Sequence, residues 1–389
     1  MDLPMNRRLL RARPSGIRRF TALARATPGC ISLALGEPEF PTPEAVKAEA
    51  KAALDQDRTH YPPNNGEPFL LEALARFGER RYGLTYAPEE IIVTAGATEA
   101  VYIALTGVLN PGDQVIIPTP AFPLYQEVVG LAGGVCRFLD TSRDGFQITP
   151  GRLTPLLNQR TRAIVLNSPN NPTGCAYSAA SLAAVREAAA GRPIFILWDG
   201  VYRQLAYEDC PGPGEFRELR PQLILADSFS KPYAMTGWRA GWLMADAPVK
   251  ALLQKLHQYT VVSASSLVQG ACVRALEEDL APVVEGYRRR RDYACRRLGE
   301  MGLPFRRPEG GFYLFPFIGG FGMGSEEFCL RLIREGGLGL VPGACFGCEG
   351  FARLSYCCRE ETLREGLDRL EAFLKGLPEG PQAIPRSRR

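Results

Sequence analysis

Short, mostly apolar runs alternate with helical segments between residues 90 and 228, and no other feature of the sequence constrains the fold as strongly. The runs are IIVTAG, DQVIIP, RAIVLN, PIFILW and LILADS. Continuous apolar strands separated by helices are typical of a parallel sheet that helices cover on both faces. The sequence therefore predicts an α/β domain with a mostly parallel sheet.

The segments outside this alternation predict how the rest of the chain is organised. Residues 1–40 show no regular pattern and are predicted to form an irregular N-terminal arm that contributes to a small domain. Residues 41–275 are predicted to form the large domain, and residues 276–389 a smaller mixed α/β domain with a frayed tail after Pro378. Helix-forming composition and apolar periodicity predict helices at residues 44–55, 70–81, 178–190, 325–335 and 361–374.

Composition and charge are those of a globular protein in water. Of 389 residues, 46% are apolar and 23% are charged, and the net charge is +4. The one basic run, YRRRRD at residues 287–292, lies in a helical pattern and is predicted to form a solvated helix face, so no nucleic-acid interface is expected. Neither a signal-peptide core nor a stretch of about 20 apolar residues is found, which predicts a cytoplasmic protein.

The cysteines and histidines restrict the chemistry further. Eleven cysteines, an odd number, are spread from Cys30 to Cys358 and do not resemble the framework of a secreted disulfide protein. The four cysteines within residues 345–358 lack the ligand spacing of a zinc ribbon, so no metal is expected. Only His60 and His257 are present, which leaves little room for acid–base catalysis by histidine.

Polar residues follow several of the predicted strands, at the edge where ligands bind in open α/β sheets. After IIVT, the N–H groups of Gly96, Ala97 and Thr98 lie at a strand-to-helix turn and favour an anion such as phosphate. Any such turn also favours a small residue, so this signal is weak alone. Asn171 in RAIVLNSPNNPTG offers its amide to a ligand oxygen, or it forms a simple Asx turn.

A carboxylate and a phenol follow the next strand. Asp199 comes directly after PIFILW, and Tyr202 lies three positions later. A carboxylate at the end of a buried strand is costly unless a cation satisfies it. On the functional interpretation, that cation is the protonated nitrogen of a pyridine ring.

The stretch LILADSFSKPYAMTGWRAGW adds Ser228, Lys231 and Arg239 at the end of the last strand. A lysine whose charge is suppressed by desolvation and by a cationic neighbour can act as an amine nucleophile, and an arginine can grip a phosphate with its planar fork. Together they suggest a carbonyl cofactor that carries a phosphate. The alternative is that both side chains are merely solvated, as most loop lysines and arginines are.

The motifs NNPTG, DGVY, SFSK, TGWRAGW and ARLSY occur in an order and spacing that resemble the class I and II aminotransferases, which depend on pyridoxal 5′-phosphate. The resemblance covers nearly the whole chain, from ISLALGEP to the final helix. It implies the fold of type I pyridoxal-phosphate enzymes, in which helices sandwich a mostly parallel seven-stranded sheet and a smaller mixed α/β domain follows. It also implies a homodimer.

The resemblance implies a role for each residue around the cofactor ring. Lys231 would form the internal aldimine, and Asp199 would hold the proton on the pyridinium nitrogen. Tyr202 and Asn171 would hydrogen-bond the phenolic oxygen, while Phe122 would stack on the ring. Lys231, Asp199 and Tyr202 are thus the expected catalytic residues.

The phosphate and the substrate would be held by other positions that match the family. Five residues are expected at the phosphate, of which Tyr61 would reach it from the second subunit; they are Ala97, Thr98, Ser228, Arg239 and Tyr61. Arg353 in ARLSY would bind the substrate α-carboxylate, with Gly36 and Asn171 beside it. The implied reaction is a ping-pong transfer of the amino group from an L-amino acid to a 2-oxo acid, with 2-oxoglutarate as the expected acceptor.

The chain departs from the family pattern at three places. Gly200 stands where many relatives have an acidic residue, which leaves the expected cofactor contacts in place. The AGAT turn lacks a side-chain donor that relatives often carry earlier, so phosphate binding is expected to depend on backbone N–H groups and Thr98. Phe122 can stack but cannot donate a hydrogen bond as a tryptophan would.

Residues 255–269 resemble family members assigned to aromatic, aspartate or acyl-diaminopimelate substrates, which leaves the amino donor open.

Two other functions remain open at this point. The same cofactor supports β-elimination in the carbon–sulfur lyases of this fold, although TGWRAGW and ARLSY favour amino transfer. A non-catalytic ligand-sensing domain is the other alternative. The absence of a helix-turn-helix pattern and the presence of Lys231 argue against it.

Overall fold

The computed structural model describes residues 4–378, and a seven-stranded sheet lies at its centre. The tail predicted to be frayed lies outside the described residues. The strands are β1 (Ile31–Ser32), β2 (Ile91–Thr94), β3 (Gln114–Thr119), β4 (Val135–Asp140), β5 (Thr161–Asn167), β6 (Phe195–Asp199), β7 (Leu223–Ser228), β8 (Gly241–Ala245), β9 (Tyr313–Leu314), β10 (Leu338–Gly339), β11 (Val341–Pro342) and β12 (Ala352–Ser355).

Five of the α-helices begin and end close to the residues that the periodicity predicts. The segment predicted at 44–55 matches its helix, and the other four predictions differ from the observed ends by at most two residues. The helices are α1 (Arg7–Arg11), α2 (Gly16–Ala26), α3 (Glu44–Asp55), α4 (Pro68–Tyr82), α5 (Ala97–Val108), α6 (Leu124–Ala132), α7 (Pro150–Leu153), α8 (Ala179–Ala189), α9 (Ala247–Val261), α10 (Ser266–Leu276), α11 (Ala281–Glu300), α12 (Ser325–Gly336) and α13 (Glu360–Lys375).

The central sheet is mostly parallel, as predicted. Its strand order is β2-β8-β7-β6-β5-β3-β4, and β8 alone runs antiparallel to its neighbours. Asn167 pairs with Asp199 and Asp199 pairs with Ala226, so β5, β6 and β7 end side by side. This register brings three polar strand ends to one edge of the sheet.

Apolar side chains cover both faces of the sheet. In β5, Ile164 and Leu166 belong to one buried cluster, while Ala163 and Val165 belong to another on the opposite face. Successive residues of a strand point to opposite faces, so a strand that is apolar throughout needs cover on both. The continuous apolar runs are explained by this burial.

A second hydrophobic core joins the N-terminal segment to the C-terminal elements. Phe20 and Ala24 of α2 pack in one cluster with Leu332 of α12 and Leu367 of α13, and β1 pairs in parallel with β10. A three-stranded sheet of β11, β12 and β9 lies in the same part of the chain. Domain boundaries at residues 40 and 275 stay a prediction.

The prediction of an irregular N-terminal arm is wrong over α1 and α2. Ser15 caps α2 by accepting a hydrogen bond from the Arg18 N–H, which is a common way for a helix to begin. Phe20 and Ala24 are buried four residues apart, on one side of the helix. Arginines between the apolar residues hide this stripe in the sequence.

The solvated face predicted for YRRRRD is also wrong. The run lies in α11 as expected, but Arg290 and Arg291 are buried. The Arg291 guanidinium lies over the ring of Tyr207 and donates to the carbonyl of Pro308, while Arg290 forms an ion pair with Glu39. Aromatic faces, carbonyls and carboxylates supplied by distant segments offset the burial of these charges.

Two strands of the central sheet were not evident from the pattern. β4 lies at the edge and is largely accessible, so VCRFLD lacks a continuous apolar run. β8 is short and follows the turn that carries Arg239, in a part of the chain predicted to become helical. Among the described residues, no helix is long and apolar enough to cross a membrane.

Candidate active site

A cavity of about 340 Å³ opens at the carboxyl ends of β5, β6 and β7. Its wall combines residues of the sheet edge with residues of α2 and of the C-terminal strands. Of the predicted site residues, those that line it are Gly36, Ala97, Thr98, Phe122, Asn171, Asp199, Tyr202, Ser228, Lys231, Arg239 and Arg353. Residues spread over more than 300 positions of the sequence thus meet in one place.

Asp199, at the end of β6, is 5% exposed and lies inside the cavity. Its carboxylate accepts hydrogen bonds from the Tyr125 hydroxyl at 2.7 Å and from the Val201 N–H at 3.2 Å. Burial raises the pKa of Asp199 to about 6, and the hydrogen bond from Tyr125 opposes this shift. Within residues 4–378 no cation forms an ion pair with this carboxylate, so a cationic ligand in the cavity would find it without an ion-pair partner.

Two asparagines connect the strand ends to each other. Asn167, the last residue of β5, donates to the Asp199 carbonyl at 3.1 Å and accepts from the Asn171 N–H at 2.8 Å. The side-chain oxygen of Asn171 accepts from Arg353 at 2.8 Å. The amide nitrogen of Asn171 is therefore left to donate to a ligand in the cavity.

Arg353 lies in β12 and is only 2% exposed. Its guanidinium donates to Asn171 and, at 2.7 Å, to the carbonyl of Ala34, and it lies 4.4 Å from the ring centre of Tyr313. Its Nε has no hydrogen-bond partner among the described residues. A buried cation with neutral partners and spare donors fits a carboxylate ligand.

The Lys231 amine donates to the carbonyl of Gly36 at 2.7 Å. The pKa of Lys231 is lowered to about 8, mainly by burial; the charges of Arg353 and Arg239 contribute to this shift, whereas Cys357 and Glu37 oppose it. The cationic form of the lysine is therefore disfavoured, which is what an amine nucleophile requires.

Tyr202 and Gly36 both lie against Tyr313 in the wall of the cavity. The hydroxyl groups of Tyr202 and Tyr313 lie 3.1 Å apart, and burial raises the pKa of Tyr202 well above its usual value, which keeps the phenol protonated. A Cβ placed on Gly36 would lie 1.8 Å from the Tyr313 hydroxyl oxygen. Only glycine fits there, so the backbone of Gly36 approaches the cavity closely.

The turn between β2 and α5 forms a cradle at the mouth of the cavity. Gly96 has a left-handed φ of 79°, and a Cβ there would lie 2.8 Å from the Arg239 guanidinium. The Arg239 guanidinium donates to the carbonyls of Ala95, at 3.2 Å, and of Thr236, at 3.0 Å. Ser228 ends β7 at the same edge of the sheet. Free N–H groups at a helix start, an arginine and a hydroxyl are suited to a phosphate.

Tyr61 is the one predicted site residue that lies away from this cavity. It is 86% exposed and lines two outer grooves formed by the loop after α3 and the start of α10. This placement differs from that of the other predicted residues, and the role of Tyr61 at the phosphate of a second subunit stays a prediction.

Several cavity residues were not predicted from the sequence. Asn167 could have been found, since it ends a predicted strand. Tyr125 in α6 and Tyr313 in β9 carried no signal, because only the fold brings these elements to the edge of β6. Arg18 of α2 also lines the cavity, and it was hidden in a segment predicted to be irregular.

The residues present fit pyridoxal 5′-phosphate. The amine of Lys231 suits its carbonyl, the unpaired carboxylate of Asp199 suits a pyridinium, and the cradle at Gly96 and Arg239 suits its phosphate. Fold and site together fit the class of enzymes that use pyridoxal phosphate.

Comparison with known proteins agrees with this class. The family profile of aminotransferase class I and II matches residues 28–370, so the chain belongs to that family and is an aminotransferase. It is 40% identical over 376 residues to a probable N-acetyl-LL-diaminopimelate aminotransferase of Bacillus subtilis, covering 95% of each chain. It is 39% identical to an aspartate aminotransferase of Pyrococcus horikoshii, covering 95% of this chain and 97% of the relative.

Solved structures agree as well. An aspartate aminotransferase from Thermus thermophilus with maleate superposes with a TM-score of 0.91 at 34% identity, over 95% of this chain and all of that one. A Thermotoga maritima aspartate aminotransferase gives a TM-score of 0.92, also at 34% identity, over 96% and 100% of the two chains. The fold expected from the family resemblance is confirmed.

Proposed function

We propose that this aminotransferase uses pyridoxal 5′-phosphate to move the amino group of an L-amino acid to a 2-oxo acid in two half-reactions. The observation that carries the proposal is the convergence of Lys231, Asp199 and Arg353 on one cavity. These residues supply an amine, a buried carboxylate and a buried guanidinium. Each would bind a different group: the amine of Lys231 binds the cofactor carbonyl, the carboxylate of Asp199 the ring nitrogen, and the guanidinium of Arg353 the substrate carboxylate.

The residues that would hold the cofactor lie on three sides of the cavity. Asp199 keeps a proton on the ring nitrogen, while the Tyr202 hydroxyl and the Asn171 amide donate to the phenolic oxygen. Phe122 stacks on the ring. When bound, the cofactor supplies a ring that withdraws electrons from the substrate α-carbon.

The phosphate would be held by the cradle at the start of α5. The N–H groups of Ala97 and Thr98 point along the helix axis, where the helix dipole favours an anion. Arg239 and Ser228 supply further donors. The tight approach of Arg239 to Gly96 supports this assignment, because the guanidinium leaves no room for a side chain at that position.

Lys231 has two tasks in this proposal. Its Nζ would hold the cofactor at the carbonyl carbon. When a substrate amine takes that place, the freed Nζ would take up the proton of the substrate α-carbon. A pKa near 8 leaves part of the amine uncharged close to neutral pH, so it can accept that proton.

Arg353 would orient the substrate for this proton transfer. Its planar fork binds the α-carboxylate, with Asn171 and the backbone of Gly36 beside it. Holding the carboxylate at one end directs the bond to the α-proton toward Lys231 and perpendicular to the ring.

The acceptor we propose is 2-oxoglutarate. Arg18 lines the cavity and is exposed, and within residues 4–378 no carboxylate pairs with its guanidinium. A second substrate carboxylate would satisfy it. A structural relative from Thermus thermophilus was solved with maleate, which is a dicarboxylate. Apolar neighbours such as Ile17 and Leu35 leave room for less polar donors in the same cavity.

A donor screen tests the proposal. Purified protein loaded with pyridoxal 5′-phosphate should absorb as a cofactor bound to lysine and should convert to the pyridoxamine form with an amino donor. Adding 2-oxoglutarate, oxaloacetate or pyruvate should then restore the first spectrum. Absence of conversion with every common amino acid would refute amino transfer, and full activity of Lys231→Ala would refute the role of the lysine.

The carbon–sulfur lyase alternative is not favoured, because the compared relatives carry aminotransferase names. Assaying pyruvate and ammonia release from cystathionine separates the two reactions. The same names argue against a non-catalytic sensing domain.

We infer that the protein works as a homodimer in which Tyr61 of one subunit reaches the phosphate of the other. The exposure of this tyrosine and its distance from its own subunit's cavity support the inference. We also propose a cytoplasmic location, which the eleven free cysteines support because reduced thiols persist in a reducing compartment.

A further inference from the structure

His257, near the end of α9, is fully buried and lies outside the cavity. Its Nδ1 is 2.7 Å from the Glu99 carboxylate, and its Nε2 is 2.8 Å from the carbonyl oxygen of Asn64. The carbonyl can only accept, so Nε2 carries a proton. A second proton must lie between Nδ1 and Glu99. The pair therefore holds two protons and is neutral as a unit, which makes its burial tolerable.

Glu99 connects His257 to the phosphate cradle. It lies in the first turn of α5, and its second carboxylate oxygen accepts from the Ala95 N–H at 2.5 Å. The carbonyl of Ala95 in turn accepts from Arg239. The Glu99 carboxylate, which His257 holds in place, therefore fixes the backbone of the turn where Arg239 packs against Gly96.

Asn64 connects His257 to the loop that carries Tyr61. The Asn64 side chain accepts from Gln254 at 2.8 Å, and the next residue, Asn65, accepts from the Val93 N–H at 2.9 Å. This loop is fixed from inside the subunit, while Tyr61 projects outward from it. Among residues 4–378, His257 is the one side chain that bonds both to the backbone of this loop and, through Glu99, to the cradle.

We propose that His257 is a positioning residue that holds the phosphate cradle of its own subunit in a fixed relation to the Tyr61 loop. This rests on the proposed function, which places the phosphate at the cradle and Tyr61 at the second site. Removing the imidazole leaves the buried Glu99 carboxylate and the partly buried Asn64 carbonyl without this hydrogen-bond partner. Both the turn at Ala95 and the loop at Asn64 then lose their common anchor.

Affinity for two forms of the cofactor tests the first half of this proposal. The full-length apo chain is titrated with pyridoxal 5′-phosphate and with pyridoxal, which lacks the phosphate, and binding is followed by absorbance. We expect His257→Ala and Glu99→Ala each to weaken binding of pyridoxal 5′-phosphate at least tenfold while changing pyridoxal binding less than threefold. A merely structural role would weaken both ligands alike, and that result would overturn the proposal.

Glu99→Gln provides a conservative rescue. Its amide can donate to Nδ1 of a neutral imidazole and still accept from the Ala95 N–H, and Nε2 can still donate to Asn64. Affinity for pyridoxal 5′-phosphate should therefore stay within threefold of the unmodified protein. Lys255→Ala, an exposed position on the same helix, is the matched control. Equal losses in Glu99→Gln and Glu99→Ala would contradict the hydrogen-bond role.

A double-mutant cycle tests the link to the loop. Tyr61→Phe should weaken binding of pyridoxal 5′-phosphate in the unmodified protein and should have a smaller effect in the His257→Ala background. Additive effects would show that the loop is held independently of His257. The failure of the unmodified protein to bind the cofactor at all would instead contradict the proposed function, so the two outcomes are distinguishable.

Discussion

At the scale of single residues, the site is an arrangement of charges without their natural partners. Within the part of the chain that the structure describes, the buried Asp199 carboxylate and the buried Arg353 guanidinium form no ion pair. Such groups cost free energy until a ligand pairs with them. Burial, together with the charges of Arg353 and Arg239, lowers the pKa of Lys231 and so favours its uncharged form. Burial makes these charged groups unfavourable in the folded chain. It also leaves them ready to pair with a cofactor and a substrate.

The low pKa of Lys231 predicts how cofactor attachment depends on pH. Only the uncharged amine can form the covalent bond, so the rate should rise with pH and level off above about 8. An ordinary lysine would still be mostly charged at that pH. Stopped-flow absorbance of the apo protein mixed with pyridoxal 5′-phosphate measures this profile.

Arg353→Gln gives a directional control for this profile. Removing a positive charge near Lys231 should raise its pKa, so the midpoint of the rate profile should move to higher pH. For the unmodified protein, a midpoint near 10.5, which is the ordinary pKa of lysine, would contradict the claim that burial lowers the pKa of Lys231.

At the scale of elements, the site depends on how closely β2, β8 and the start of α5 approach. The antiparallel strand β8 begins at Gly241, and a Cβ there would lie 2.7 Å from the carbonyl carbon of Gly96 and 2.8 Å from the Ala97 nitrogen. Both contacts are with backbone, which cannot rotate away. The phosphate cradle therefore needs a glycine on a neighbouring strand.

Gly241→Ala should destabilise the protein by about 2–4 kcal/mol, because overpacking against backbone forces the turn to shift. It should also weaken binding of pyridoxal 5′-phosphate. The matched control is Gly237→Ala in the same motif, where a Cβ would meet no atom within 4 Å. Denaturant unfolding of both variants measures the difference. Equal stability of the two would show that the turn can move without cost.

At the scale of the whole molecule, the N-terminal segment and the C-terminal elements close the site over the sheet edge. Arg353 from β12 and Arg18 from α2 reach the same cavity as Asp199 from β6. Tyr61 lies outside this cavity, in an outer groove. A complete site therefore requires two copies of the chain if Tyr61 serves the phosphate.

Subunit complementation tests this division of labour. A Lys231→Ala subunit has no amine in its own site but still supplies Tyr61, whereas a Tyr61→Ala subunit keeps its own Lys231. Hybrid dimers of the two should contain one complete site and should regain up to about half of the unmodified activity. Each variant alone should be inactive or strongly impaired. Hybrids no more active than the Tyr61→Ala protein would place Tyr61 outside the second site.

The sequence could predict those parts of the protein that depend on local pattern. Apolar runs located five strands of the central sheet, and the polar residues that follow them, Asp199 and Lys231 among them, line the cavity. The edge strand β4 and the strand β8 were missed because their residues lack a long apolar run. The buried pair Arg290 and Arg291 was misjudged because their partners come from distant segments.

By itself, the sequence determined the α/β class, the strand-end chemistry and the family, since these depend on periodicity and on short motifs. Only the tertiary structure decided which distant groups meet: Tyr125 at Asp199, Tyr313 at Tyr202, and His257 between Glu99 and Asn64. The reason is physical. Local pattern follows from the geometry of one strand or helix, whereas burial, pKa and hydrogen-bond partners depend on how separate elements pack.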